Sequence, residues 1–207
     1  LLDVSNSSKD SVFNLALQEI LSRALKISGC QSAGIRLRKN GDFPFYIHEG
    51  LPGFFVKKED SLLIKGKDKQ FLSDENGCWL LDCMCGNIIR GHFNSNFPFF
   101  SKKGSFWTNS TSDLLLNITS EQKRFIGPTR NLCNLSGYES VALIPLIIDK
   151  NIIGLLHLAD PRENMFSNNK IYSLELVTDE FANIIKCVYE IAEKLSGIDE
   201  TIRFSNV

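Results

Sequence analysis

The segment Ser140–Leu158 constrains this chain more than any other: two strand-length apolar runs, Ser140 to Ile148 and Ile152 to Leu158, are joined by the polar turn Asp149-Lys150-Asn151. A sheet wetted on one face alternates apolar and polar residues along each strand. These runs scarcely alternate, so both faces of the pair must be covered. The rest of the chain has to supply two covering layers. Residues 10 to 28 offer one helix: Asp10 is a capping residue, Phe13, Leu17, Ile20, Ala24 and Ile27 recur at three-and-four spacing, and Gly29 ends the run. Another helix starts at the cap Ser167 and reaches to about Leu195, with a break at Gly197 and a polar tail. Ala33 to Lys39 alternates Ile35 and Leu37 with Arg36 and Arg38, the pattern of a half-buried strand. Asn40-Gly41 is a hairpin turn into Phe43 to His48.

The middle is irregular. It reads as a turn at Leu51-Pro52-Gly53, a short helix around Phe54 to Leu63, a strand from Cys78 to Ile89 interrupted at Gly86, a loop from Gly91 to Gly104, and one or two short helices within Ser112 to Phe125. This order predicts an α+β fold: a central antiparallel sheet with the terminal helices on one face and the loop-rich middle on the other. Residues 1–207 read as a single domain with a core over 10–195 and a C-terminal linker over 196–207.

Composition narrows the function. Lys and Arg number 23 against 24 Asp and Glu, which leaves no basic excess for nucleic acid or for direct contact with an anionic membrane. No apolar run approaches the roughly 20 residues of a spanning helix, and the start, Leu1-Leu2-Asp3-Val4-Ser5, lacks the pattern of a signal peptide. The missing initiator Met predicts a piece of a longer polypeptide. Six cysteines and sequons at Asn6, Asn109, Asn117 and Asn134 would suit a secreted framework, but the 43% apolar content suits a core-rich domain in a reducing, cytoplasmic compartment.

The run from Ser140 to Ala159, followed by Phe166-Ser167 and a long helix, resembles the C-terminal half of a GAF domain: a strand ending in Pro145-Leu146, a turn, a strand with Gly154 before aliphatic residues, and an aromatic-plus-cap lead into the last helix. With the first helix and hairpin, the resemblance covers roughly residues 10 to 195. Asp82-Cys83-Met84-Cys85-Gly86-Asn87, Gly104-Ser105-Phe106-Trp107-Thr108-Asn109, and Arg130-Asn131-Leu132-Cys133 with Gly137-Tyr138-Glu139-Ser140 are similar to GAF domains of multidomain prokaryotic sensor histidine kinases. The resemblance implies an input domain with a ligand pocket between the sheet and the middle region, coupled through its terminal helices to a covalently linked output domain. The cyclic-nucleotide signature fails at Glu175, where the family has Phe, and the Cys-His dipeptide of bilin-binding phytochromes is absent.

The chemistry-bearing cluster is Gly77 to Gly86. On a regular strand Trp79, Leu81, Cys83 and Cys85 share a face and Cys78 lies on the other; Cys83 and Cys85 are then about 6.6 Å apart at Cα, poorly placed to bridge each other and well placed to reach a third group. Cys133 is the candidate third group. Zinc or an iron–sulfur cluster on Cys83, Cys85 and Cys133 with His92 or Cys78, haem held by a thiol and His92, a thiol redox switch, and small buried side chains without ligand duty all remain open, and no cofactor at all is one of the outcomes. Trp107 and Asn109 belong to an aromatic and amide-rich stretch suited to a pocket wall. His157 is expected to face a helix or the pocket, and Arg124 and Arg130 to hold an anion or lie on a solvated face.

No phosphate-loop, nucleophile-elbow or zinc-protease motif occurs, which predicts a regulatory domain and not an enzyme. Leu174, Val177, Phe181, Ile184, Val188, Ile191 and Leu195 alternate steps of three and four, a seam that predicts a parallel homodimer. The expected function is therefore a sensor of a small molecule, cofactor or redox signal that regulates a histidine kinase or other output. The alternatives are a structural dimerisation module and a thiol-dependent enzyme akin to the GAF-fold methionine sulfoxide reductases.

Overall fold

A computed structural model describes the backbone of residues 4–204 and the side chains of residues 13–184, 186 and 187. Helix α1 (Val4–Ser28) leads into β1 (Ser32–Leu37) and β2 (Phe45–Glu49); β4 (Ser140–Ile148), β5 (Asn151–Asp160) and helix α7 (Asn168–Phe204) close the chain. Between them lie α2 (Gly53–Glu59), α3 (Cys83–Ile89), a short strand β3 (Phe106–Thr108), and helices α4 (Thr111–Asn117), α5 (Ser120–Ile126) and α6 (Leu132–Leu135). The five strands form one antiparallel sheet in the order β2-β1-β5-β4-β3. The fold is α+β, as the pattern of elements requires.

The unalternating strands β4 and β5 occupy the centre, and each face of the sheet has its own core. On one face Ile35, Ala142, Ile144, Leu146, Leu156 and Leu158 meet Leu17, Ile20, Leu21 and Ala24 of α1 and Ile171, Leu174, Val177 and Phe181 of α7. On the other, Val141, Leu143, Leu155 and Ala159 meet Phe55 of α2, Met84, Cys85, Ile88 and Ile89 of α3, and Phe99, Phe100 and Tyr138. Successive strand residues point to opposite faces, and here both faces find apolar partners. The hairpin turn has Asn40 and Gly41 at φ 52° and 82°, conformations that Asn and Gly adopt at little cost.

Five expectations are corrected. Cys78 to Ile89 is not a strand: isolated bridges pair Ser73 with Trp79 and Leu63 with Leu81, and a helix then begins, capped by Asp82, whose Oδ1 accepts the Cys83 N–H at 2.6 Å. Gly86, expected to interrupt a strand, instead lets α3 close on Leu81, since a Cβ there would lie 2.8 Å from the Leu81 backbone. Arg36, expected on a wetted face, is wholly buried because α2 covers that face of β1 as well. Finally, α1 starts at Val4 and not near Asp10, and α7 continues through Gly197 to Phe204 without a break.

Candidate functional site

The second face of the sheet and helices α3 to α6 border a cavity of about 90 Å³. Phe106, Val141 and Leu143 form its floor, Leu114, Ile118, Ile126 and Leu132 its apolar sides, and Thr111, Thr129, Asn131 and Asn134 its polar fringe. Cys83 and Cys85 of α3 and Cys133 of α6 all line this cavity, and the lining residues include no charged side chain. A wider cleft of about 460 Å³, bordered by Asp82, Asn87, Arg90, His92 and Pro128, lies on the far side of Cys83, which lines both spaces. Arg90, His92 and Pro128 are exposed, so this cleft opens to solvent.

Local structure explains how the thiols meet. Residues i and i+2 of a helix leave its axis about 200° apart, so Cys83 and Cys85 would diverge on a regular helix. Cys83 has a left-handed φ of 65°, which re-aims this first residue onto the cavity that Cys85 also lines. Such a conformation costs a non-glycine residue about 1 to 2 kcal/mol. Above the cavity, Glu139 accepts the hydroxyls of Ser110 at 3.0 Å and Ser112 at 2.7 Å and the Ser112 N–H at 3.1 Å, which holds its carboxyl below the usual range. Asn134 donates to Thr111 Oγ1 and Ser112 Oγ, both at 3.0 Å. This frame ties α4 to α6.

Beside the cavity lies a buried polar group. Cys133 Sγ is 3.7 Å from Nε2 of His157, a fully buried residue whose ring stacks on Phe45 and meets Phe55 edge-on. Burial, and secondarily the Arg36 cation, lower the His157 pKa to about 3, so its imidazole is neutral. Arg36 donates to the carbonyls of Phe43, Asp60 and Glu59, stacks over Phe45 at 3.7 Å, and pairs with Glu59 at 3.7 Å. Arg130 pairs with Glu59 at 3.6 Å and Asp82 at 3.3 Å and donates to the Ser61 carbonyl. Burial raises the Glu59 pKa against the pull of Arg130 and Arg36. Burial also raises all three wall thiols: Cys85 to about 12, Cys133 well above its ordinary value, and Cys83 upward as well.

The remaining predicted residues lie elsewhere. Cys78 is exposed. His92 is on the cleft rim, stacked on Phe125 with Nε2 2.9 Å from its carbonyl. Trp107 packs into the core beneath α1 and α7, and Asn109 clamps Phe166, accepting its N–H at 2.8 Å and donating to its carbonyl at 2.9 Å. Neither lines the cavity. Arg130 is spent on internal ion pairs and not on a solvated face. Among the described residues no three His, Cys, Asp or Glu side chains are grouped to hold a metal ion, so zinc and iron–sulfur clusters do not fit. Cys83 and His92, the thiol and the histidine of the haem expectation, both border the wider cleft of about 460 Å³, and His92 does not line the smaller cavity.

Leu174, Val177 and Phe181, expected to face a partner helix, are buried in the domain's own core; Ile184 is 43% exposed, and the side chains of Val188, Ile191 and Leu195 lie outside the described residues. Sequence reasoning left Arg36 and Glu59 out of the site and gave His157 only as facing a helix or the pocket. A His inside an otherwise apolar strand was the available signal.

A five-stranded antiparallel sheet with terminal helices on one face and a pocket under short helices on the other is the arrangement of the GAF fold, and solved GAF-domain structures share it. The PixJ GAF domain of Thermosynechococcus elongatus, in its blue-light absorbing form, superposes with a TM-score of 0.56 at 9% identity, covering 97% of this chain and 98% of that one. A domain assigned to a two-component sensor histidine kinase of Sinorhizobium meliloti 1021 gives 0.53 at 14% identity, covering 86% and 94%. The type II free methionine-R-sulfoxide reductase of Thermoplasma acidophilum gives 0.50 at 11%, covering 84% and 94%. No protein-family model and no curated protein matches the sequence.

Proposed function

We propose that this chain is a signal-input domain in which a small, uncharged, thiol-reactive molecule engages the cavity wall and the event passes along α1 and α7 to a covalently attached output domain, a histidine kinase being the first candidate. The carrying observation is a cavity lined by three thiols and by no charged side chain. Its volume of about 90 Å³ is some three times the ~30 Å³ share of a liquid water, room for a molecule of a few heavy atoms. Cyclic nucleotides and tetrapyrroles exceed that size. The two terminal helices flank the sheet together, and α7 continues beyond it, as a relay to a following domain requires. Free thiols at all six cysteines fit a cytoplasmic setting, and no described helix is long and apolar enough to cross a membrane. Pairing of two copies through the distal part of α7 belongs to this reading.

Three thiols in one cavity also favour a second reading, a reductase like the Thermoplasma structure. Free methionine sulfoxide is a zwitterion, however, and burying its charges needs charged partners that the lining lacks. Turnover of free methionine sulfoxide with a dithiol reductant would decide for that enzyme and against a purely regulatory domain.

The cavity is tested by methyl NMR under xenon pressure. Leu114, Val141 and Leu143 should shift, whereas Leu156 and Leu158 on the opposite face should not. Unmoved methyls on the cavity face would remove the proposed site.

A further inference from the structure

The three wall thiols are not equivalent. Cys83 lines both the cavity and the cleft that opens to solvent beside Arg90 and His92, so it is the thiol on the route inward. Burial, the largest influence, and then Glu59 raise its pKa, while the Met84 and Arg130 backbone and the Arg130 guanidinium pull it down. Its backbone is strained at a φ of 65°. Cys133 faces the same cavity from α6, with Sγ 3.7 Å from Nε2 of a neutral, fully buried His157, whose Nδ1 has no hydrogen-bond partner. Burial, then the neighbouring sulfurs of Cys83 and Cys85, keep Cys133 a protonated thiol at rest.

We propose that Cys83 and Cys133 form a redox couple operated by a hydroperoxide, with Cys83 oxidised first and Cys133 then closing a disulfide across the cavity. This rests on the cavity being the signal-input site and names its substrate class. In the first step the Cys83 sulfur attacks the terminal oxygen of ROOH. The S–O bond forms and the O–O bond breaks. The displaced alkoxide leaves as ROH with the thiol proton, and Cys83 becomes a sulfenic acid, oxidised by two electrons. In the second step the Cys133 sulfur attacks the Cys83 sulfur. The S–S bond forms, the S–O bond breaks, and hydroxide leaves as water with the Cys133 proton. The sum is two thiols plus ROOH giving a disulfide, ROH and water.

Hydroperoxides fit because they are small and uncharged, and because a second thiol lining the same cavity completes the reaction without an external partner. The disulfide would tie the start of α3 to α6. Arg130, three residues before Cys133, holds Asp82, Glu59 and the Ser61 carbonyl, so a shift of α6 would be felt at the junction packed against Arg36 of β1.

The test treats the reduced protein with hydrogen peroxide, quenches in an alkylating agent and maps the peptides by mass spectrometry. A Cys83–Cys133 linked peptide, lighter by two hydrogens, is expected. In Cys133→Ser, oxidation should stop at a sulfenic acid on Cys83 that dimedone traps; in Cys83→Ser, oxidation of Cys133 should slow by about tenfold or more. A fully alkylated wild-type Cys83 after peroxide, a Cys83–Cys85 link, or oxidation of Cys133 in the Cys83→Ser protein as fast as in wild type would each overturn the couple. The wild-type map needs no variant to fold. Xenon shifts that persist in a protein forming no disulfide would sink the couple alone; loss of both would sink the site with it.

Discussion

Arg36 lies in a strand that reads as half-buried and His157 in one that reads as apolar, and burial turns each into a constraint. Arg36 is accommodated by three carbonyls, the Phe45 ring and Glu59. His157 has only the Cys133 sulfur and aromatic rings about it. Its pKa falls from 6.5 to about 3, so below pH 6.5 the unfolded chain takes up a proton that the folded one refuses. Stability must then fall on acidification from pH 6.5 towards 3, by about 2 kcal/mol between pH 6.5 and pH 5 at about 1.4 kcal/mol per unit. Glu59 opposes this: its raised pKa makes the folded state the better proton acceptor above pH 4.5. The His157 contribution is therefore read as the difference in urea-melt slope against pH between wild type and His157→Phe, which should lack the acid-side loss. Equal slopes would show that His157 does not titrate as buried. Period and propensity revealed where these two residues lie along their strands. They did not reveal what covers them, because β1 alternates as a half-wetted strand does and only α2 closes its second face.

At the scale of elements, short helices are placed by polar side chains acting at a distance in sequence. Asn109 follows β3 and binds both backbone groups of Phe166, the residue before the Ser167 cap of α7, while Ser140 Oγ accepts the Met165 N–H at 3.2 Å. Asn109→Ala should leave the Phe166 groups unpaired and cost about 1 to 3 kcal/mol, measured by chemical denaturation. A cost near zero would mean that water takes over both bonds. Of the stretch Gly104 to Asn109, part of which read as a pocket wall, Phe106 lines the cavity while Trp107 and Asn109 supply the strand and the clamp beside it. The thiol cluster was expected from period-two geometry and is built from a helix. The strand reading failed because Trp79, Leu81, Cys83 and Cys85 alternate by chance of composition, and the Asp82 cap with Gly86 packing on Leu81 decides for α3.

At the scale of the molecule, the long C-terminal helix shows how one apolar pattern serves two masters. Leu174, Val177 and Phe181 keep heptad spacing, yet over so few turns a 3.5-residue repeat and a 3.6-residue face coincide, and the sheet takes them. Phe181→Ala should therefore cost about 3 to 5 kcal/mol of the domain's own stability, read from its denaturation midpoint, with the oligomeric state by light scattering unchanged. A variant that keeps its stability and changes its oligomeric state would restore Phe181 to a partner interface. The amino-acid sequence by itself determined the layered α+β plan, since unalternating strands demand two covers, a Gly-containing turn demands a hairpin, and amphipathic termini supply a layer. Only the tertiary structure decided which residues meet at the cavity. Cys83, Cys133 and His157 come from α3, α6 and β5, segments far apart in the chain, and their approach depends on a left-handed residue, a carboxylate frame and buried ion pairs whose partners no local pattern encodes.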